Sequence, residues 1–478
     1  MLLLTACRAV PPRGGASRPR PVLATWEYEV RASADLELWV DATFSGQAEG
    51  ALQVDESAEP FVRELAVADG SAFRSIALKD ARWSDACAPV CRVRYRMQLR
   101  DVAARLADVD VALGAGDAVI AAPSTWAVHP PHATPGARYR FHVTTPPGIR
   151  FVTGVRPAKT GAPDTYEADV DGLDESALSA FGRLRVQRLG SKGIDAALSS
   201  GFALPDDALI AWLDAELSAV TRYLGRPPDD RLLVIVVPGT SEATRGETLG
   251  GGGASVLVRL GTQVTRERLL DDWVVAHELI HVGFPSIGRQ HSWLSEGLAT
   301  YVEPVARARA GLVSAEQVWQ DVVEGMPQGL PREGDHGLEG TREWGRVYWG
   351  GALYFLLSDL QIRDRTNGAR SLDDAVRGVA MSGANVEVRW SLDQVLAVGD
   401  RATGTTVLHD LYARFGLAPG AEDLPALWAR LGIRREGRTV VFDDRAPWAR
   451  FRTAITAREP SLAAVPHRKE KKVGSDFR

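Results

Sequence analysis

His277-Glu278-Leu279-Ile280-His281 is the stretch from which the rest of the chain can be read. It has the form H-E-x-x-H. On a helix, residues four apart lie one above the other, so both imidazoles project from one face. Two neutral imidazoles placed this way can each give a nitrogen to one zinc ion, and the carboxylate beside the first can take a proton from a polarised water. Two ordinary surface histidines would give the same letters, so the reading depends on what lies around them.

Downstream stands Trp293-Leu294-Ser295-Glu296-Gly297-Leu298-Ala299-Thr300-Tyr301-Val302-Glu303. Fourteen residues separate His281 from Glu296. That is enough for one helix to stop at Gly283 and Pro285, for the chain to turn, and for a second helix to begin with Ser292 as its cap. Glu296 then supplies an oxygen ligand. A set of two His and one Glu leaves a coordination position open, the mark of catalytic rather than structural zinc.

Other third ligands fit less well. A metzincin needs Gly and His three and six residues after the second His, where Phe284 and Ile287 stand. His291 precedes the second helix and reads as a loop residue. Glu303, two turns beyond Glu296, is a candidate to orient a ligand histidine through its free N–H, and Thr300 is placed in the same supporting role. A solvated helix charge is the other reading of Glu303.

The chain has 478 residues, too many for one ordinary core, and a net charge of −5, which gives no nucleic-acid footprint. No apolar run is long enough to span a bilayer. Leu4-Thr5-Ala6-Cys7 has the form of a lipoprotein signal end, though only three leucines precede it, and residues 11–21 read as a Pro- and Arg-rich tether. Cys7 is thus a candidate lipidation site. Cys87 and Cys91 remain as a close pair, expected to be a disulfide in an exported bacterial protein of the periplasm or cell envelope.

From about residue 26 to 187 apolar and polar residues alternate, as in Trp26-Glu27-Tyr28-Glu29-Val30, and Gly and Pro punctuate the runs. A β-sandwich without visible chemistry is expected there. Near residue 206 the period changes. Leu209, Leu213, Leu217, Val220 and Leu224 form a helical stripe, and residues 231–238 read as a buried strand. Gly250-Gly251-Gly252-Gly253-Ala254-Ser255 lacks the Gly-Lys-Ser/Thr of a phosphate loop. It reads as a flexible lead into an edge strand at residues 256–260, with Gly251, Gly252, Gly253 and Ala254 as substrate-binding backbone. The motif helix is expected over residues 266–282. Residues 347–368 predict a long apolar helix closed by Asn-Gly, and Ser371 opens another.

These residues resemble the glycyl aminopeptidase family of gluzincin zinc metallopeptidases. The resemblance rests on residues 277–281, on the W-x-x-E-G-x-x-T-Y form of residues 293–301, and on the Tyr-x-Gly-Gly-Ala, Ile-Arg-x-x-Thr-x-Gly and Ser-Leu-Asp-Asp elements between Tyr348 and Val376. It covers roughly residues 205–435. It implies one zinc ion held by His277, His281 and Glu296, Glu278 as general base, and Tyr348 as the phenol facing the oxyanion, with Tyr354 as the alternative. Where the family carries a Gly-x-x-Glu element that holds a substrate's free amine, this chain has only glycines, and Glu247 would substitute only if the loop folded back. Residues after 457 leave no room for the PDZ domain common in the family.

The expected fold is therefore α+β and multidomain. A signal-like segment and linker (1–24) precede an N-terminal β-sandwich (25–200). A thermolysin-like, gluzincin catalytic domain (205–400), mostly helical in its C-terminal half, is followed by a helical extension (401–457) and a basic tail (458–478). The expected activity is hydrolysis of a peptide or protein substrate, with no nucleic-acid partner and no membrane contact beyond an N-terminal lipid. A non-catalytic cell-surface lipoprotein that binds through a peptidase scaffold is the alternative.

Overall fold

Strict alternation builds the N-terminal half. In the strand Thr25–Ala32, Trp26, Tyr28, Val30 and Ala32 are buried while Glu27, Glu29 and Arg31 face solvent. This strand pairs antiparallel with Glu37–Ser45, Trp26 opposite Phe44, and parallel with Arg138–Thr144. Both belong to a seven-stranded sheet. A computed structural model describes residues 24–45, 51–79, 90–109, 111–159, 161–190 and 193–459. Cys7, Cys87 and most of the basic tail lie outside them. Cys91 is buried and disulfide-bonded.

The seven-stranded sheet packs on a four-stranded sheet, in which Ala118–Ala121 and Ser179–Gly182 are the inner strands. Between them lies an aromatic core in which Trp126 meets Phe141 edge to face at 5.3 Å. Neither inner strand of the smaller sheet alternates with polar residues. Val119, Ala121 and Phe181 face the aromatic core, whereas Ala118, Ile120 and Ala180 pack on Leu233, Ile235, Val237 and Leu257 of a third sheet. A sheet covered on both faces has no use for polar residues. The N-terminal unit is a sandwich as expected, and its second layer is also the roof of a third sheet.

That third sheet has five strands, in the order Arg185–Arg188, Ile194–Leu198, Leu232–Pro238, Ala254–Leu260 and Arg245–Leu249. The middle three run parallel. The helix Asp206–Leu224 makes the crossover between the first two of them, with Asp206 and Asp207 in its first turn and Gly225 in the left-handed conformation closing it. The expected boundary near residue 200 is displaced. Strands Arg185–Arg188 and Ile194–Leu198, read with the sandwich, pair into the third sheet, the first antiparallel to the second and the second parallel to Leu232–Pro238 through that helical crossover.

The edge strand is also displaced. Residues 254–260 form an inner strand, and the edge is Arg245–Leu249, which pairs antiparallel with it. The glycines between the two are not substrate-binding backbone. Gly251 O accepts from Ala177 N at 3.0 Å and Gly252 O from Arg156 N at 2.7 Å. A Cβ on Gly251 would run into the carbonyls of Gly172 and Glu175, and one on Gly253 into that of Gly154. Gly251, Gly252, Gly253 and Ala254 are the joint at which the sandwich closes on the five-stranded sheet, and only glycine allows backbone so near backbone.

Helices fill the remainder. The capping box of Ser371 and Asp374 opens Leu372–Met381 as expected, and Thr439–Phe442 forms a hairpin with Ile433–Glu436. Among the described residues no helix is long and apolar enough to cross a membrane.

Candidate metal centre and active site

The motif helix is shorter than expected. Residues 266–282 form two helices, Arg266–Asp271 and Val274–Val282, because Asp272 is extended and its carboxylate accepts from the N–H of Val274 at 3.0 Å. That side-chain bond replaces the continuous ladder and restarts the helix three residues before His277. Val275, Ala276, Leu279, Ile280 and Val282 bury the far side in the core. Gly283 stops it as expected.

The ligand helix Ser292–Ala310 starts one residue before its expected position, with His291 rather than Ser292 at the cap. Its entry is pinned by Trp293, whose Nε1 donates to Glu339 at 3.1 Å; His291 Nδ1 lies 2.8 Å from the same carboxylate. His291 is thereby removed from the metal cluster. Glu296 turns toward the histidine pair, with Oε2 3.1 Å from His277 Nε2 and 3.4 Å from His281 Nε2. One ligand atom from each of the three lies within 4.8 Å of the others.

These residues fit zinc. Both imidazoles aim Nε2 at one carboxylate oxygen, and no fourth protein ligand joins them among the described residues. Burial pulls His277 below the ordinary histidine range, and the neighbouring His281 adds to this despite the pull of Glu296. Burial also acts on His281, but hydrogen bonding to Glu296 and the charges of Glu296 and Glu278 outweigh it and the net shift is upward. Burial disfavours the Glu296 charge as well, yet its bonds to both histidines hold it well below the usual carboxylate range.

Glu278 faces the edge strand. Thr248 Oγ1 donates to Glu278 Oε2 at 2.7 Å, and a Cβ on Gly246 would collide with the Glu278 side chain. Gly246 is thus the close-approach glycine of this site, and Thr248 fixes the carboxylate's direction. Neither stands out in the sequence. A glycine two residues before a threonine in a short strand is the one signal that points to them. Replacing Thr248 with Val should lower kcat about tenfold, the cost of one charge-assisted hydrogen bond, while Thr248→Ser restores it. Equal activity in all three proteins would remove the positioning role.

Tyr348 sits in a π-helical turn, Arg346–Gly350, that leads into the helix Gly351–Arg365. Its ring stacks on His277 at 6.1 Å and on Trp344 at 5.2 Å. Burial first, then the charge of Glu296, raise its pKa, so the phenol keeps its proton. Tyr354 is elsewhere: fully buried, it donates to Leu408 O at 2.8 Å. Tyr348 reaches the cluster because two glycines let their helices touch. A Cβ on Gly351 would sit inside the Trp293 carbonyl, and one on Gly297 inside the Gly351 backbone.

The two supporting residues expected from spacing do other work. Thr300 Oγ1 donates to the Glu296 carbonyl at 2.7 Å, within its own helix. Glu303 accepts from Arg307 at 2.9 Å, and His277 Nδ1 has no hydrogen-bond partner among the described residues. The i,i+4 partner on the same helix wins over the histidine.

Glu303 is buried, not solvated. Arg307 also reaches Glu216, at 3.2 Å, so one guanidinium serves two buried carboxylates. Burial, opposed by Arg307, pushes Glu216 up to about 7 and Glu303 up to about 8. The unfolded chain releases these protons near 4.5. The stabilisation is therefore complete below that value and is lost as pH rises through the folded values. Between pH 5 and 8 the wild type should lose about 3 kcal/mol relative to Glu216→Gln, since each tenfold change in proton affinity on folding is worth about 1.4 kcal/mol. Denaturant titrations across that window check this, and parallel curves would refute it.

A cavity of about 620 Å³ opens over the cluster, lined by the edge strand, Glu278 and Tyr348. Glu247 lines it too, with its carboxylate on Arg259 at 2.9 Å.

No family model and no curated protein matches the sequence. Among solved structures, an aminopeptidase N family protein from Idiomarina loihiensis aligns over 85% of this chain and 78% of its own, with TM-score 0.65 and 13% identity. An M1 zinc metallopeptidase from Deinococcus radiodurans covers 83% and 94%, with TM-score 0.49 and 16% identity. At this identity the likeness is one of architecture: the chain has the fold of that aminopeptidase N family protein.

Proposed function

We propose that this chain is a zinc-dependent metallopeptidase in which His277, His281 and Glu296 hold the metal. The observation that carries the reading is the convergence of two imidazole nitrogens and one carboxylate oxygen within 4.8 Å, beside a glutamate fixed by Thr248. Zinc, when bound, supplies a Lewis acid that polarises the scissile carbonyl and the attacking water. Glu278, oriented by Thr248, takes the proton of that water and passes it to the leaving amine. The protonated Tyr348 phenol, braced between Trp344 and His277, donates to the developing oxyanion. The edge strand Arg245–Leu249 offers its outer backbone groups to an extended peptide.

Peptides with free and with blocked amino termini, incubated with and without a chelator, test the proposal. Hydrolysis that stops on chelation and returns with zinc is expected; no hydrolysis in the zinc-loaded protein rejects it. Cleavage of the free-amine set alone would mark an aminopeptidase. The disulfide-bonded Cys91 supports an exported location, where such bonds persist.

A further inference from the structure

A second cavity, of about 450 Å³, lies on the other side of the cluster, between the ligand helix and the helix Ala315–Gly325. His277, Tyr348 and Trp273 line both cavities, so His277 is the member of the metal cluster that borders both. The wall of the second cavity is aromatic. Trp273 is 47% and Trp344 59% exposed, large values for indoles, and the partly buried Trp349 packs against the core. Trp349 is seated on Gly325, where any Cβ would overlap its ring. The two exposed indoles offer flat apolar faces to whatever enters.

Charge in this cavity is one-sided. Its acidic lining residues are Asp271, Glu303, Asp321 and Glu324, and Arg307 is its one Lys or Arg. Arg307 is consumed by Glu216, Glu303 and the Leu270 carbonyl, and Glu324 faces Arg435 at 3.4 Å. Asp271 and Asp321 have no ion-pair partner among the described residues. Burial, reinforced by Glu324 and opposed by Arg307, raises Asp321 above the ordinary aspartate range. The first cavity differs, with Arg245 and Arg259 on its edge-strand side.

We infer that the second cavity is a specificity pocket for a lysine or arginine side chain of the substrate, its alkyl stem between Trp273 and Trp344 and its cationic head toward Asp321 and Asp271. Apolar stems lie well on indole faces, and a cation over such a face gains further attraction. The inference rests on the peptidase reading for its consequence in turnover, but not for binding.

Two measurements separate these. In the first, quenching of tryptophan fluorescence in the zinc-loaded protein is titrated with blocked argininamide, its citrulline counterpart and blocked norleucine amide. The arginine compound should bind at least about tenfold more tightly than either neutral one, and Asp321→Asn with Asp271→Asn should remove the difference. In the second, kcat/KM is compared for peptides differing only in arginine, lysine, norleucine or phenylalanine at one position next to the cleaved bond. A preference for the basic residues that falls below about threefold in the double variant, with norleucine cleavage unchanged, is expected. Equal binding of charged and neutral probes, a preference for phenylalanine, or selectivity that survives both substitutions overturns the inference. If no peptide is cleaved while the binding difference holds, the peptidase reading fails and the pocket stands.

Discussion

Glu278→Gln should abolish peptide hydrolysis, with a fall in kcat on the order of 10³-fold or more, and leave zinc content at one per chain. The amide is nearly isosteric with the carboxylate, and Thr248 can still bond to it, so the local structure is conserved. What disappears is the capacity to accept a proton from water, a contribution of about 10²–10⁴ in enzymes of many classes. Zinc should stay because His277, His281 and Glu296 are untouched. Metal analysis and turnover on the same preparation decide the matter. Residual activity within tenfold of wild type would remove Glu278 from the chemistry, and lost zinc would mean that it helps hold the site together.

Gly351→Ala should be nearly as damaging, although the residue touches no substrate. The added methyl would enter the Trp293 carbonyl, which cannot rotate away as a side chain would. Overpacking of this kind costs about 1–3 kcal/mol, and the upper end is expected where both partners are backbone. The helices would have to separate, carrying Tyr348 away from Glu296. A melting temperature lower by several degrees, together with a loss in kcat larger than in KM, is the predicted pair of results. If both are unchanged, the two helices are not in the contact on which the position of Tyr348 depends.

These consequences show which parts of the site can be read from letters. His277, His281 and Glu296 are legible because helical spacing converts directly into a shared face, and because Gly283 and Pro285 mark where the first helix must stop. The sandwich is legible from two-residue alternation, and the crossover helix from its 3.6-residue stripe. Spacing is silent on which neighbour a side chain selects. Glu303 lies two turns beyond Glu296, but Arg307, one turn further on its own helix, captures it. Gly251 to Gly253 stand near the site in sequence, and their close neighbours prove to be the sandwich rather than a ligand. Thr248 and the aromatic cavity are invisible for a different reason. Each depends on a short strand or on residues as far apart as Trp273, Asp321 and Trp344, which only packing brings together.

The four-stranded sheet, apolar on both faces, has an implication for how the protein comes apart. Removing the sandwich would leave Leu233, Ile235, Val237 and Leu257 bare to water, and such a fragment would clump rather than stay dissolved. The two halves are therefore expected to melt in one calorimetric peak, and a recombinant C-terminal half without its companion will not be a usable reagent. Whatever the sandwich does for the living cell, its first duty is as a wall.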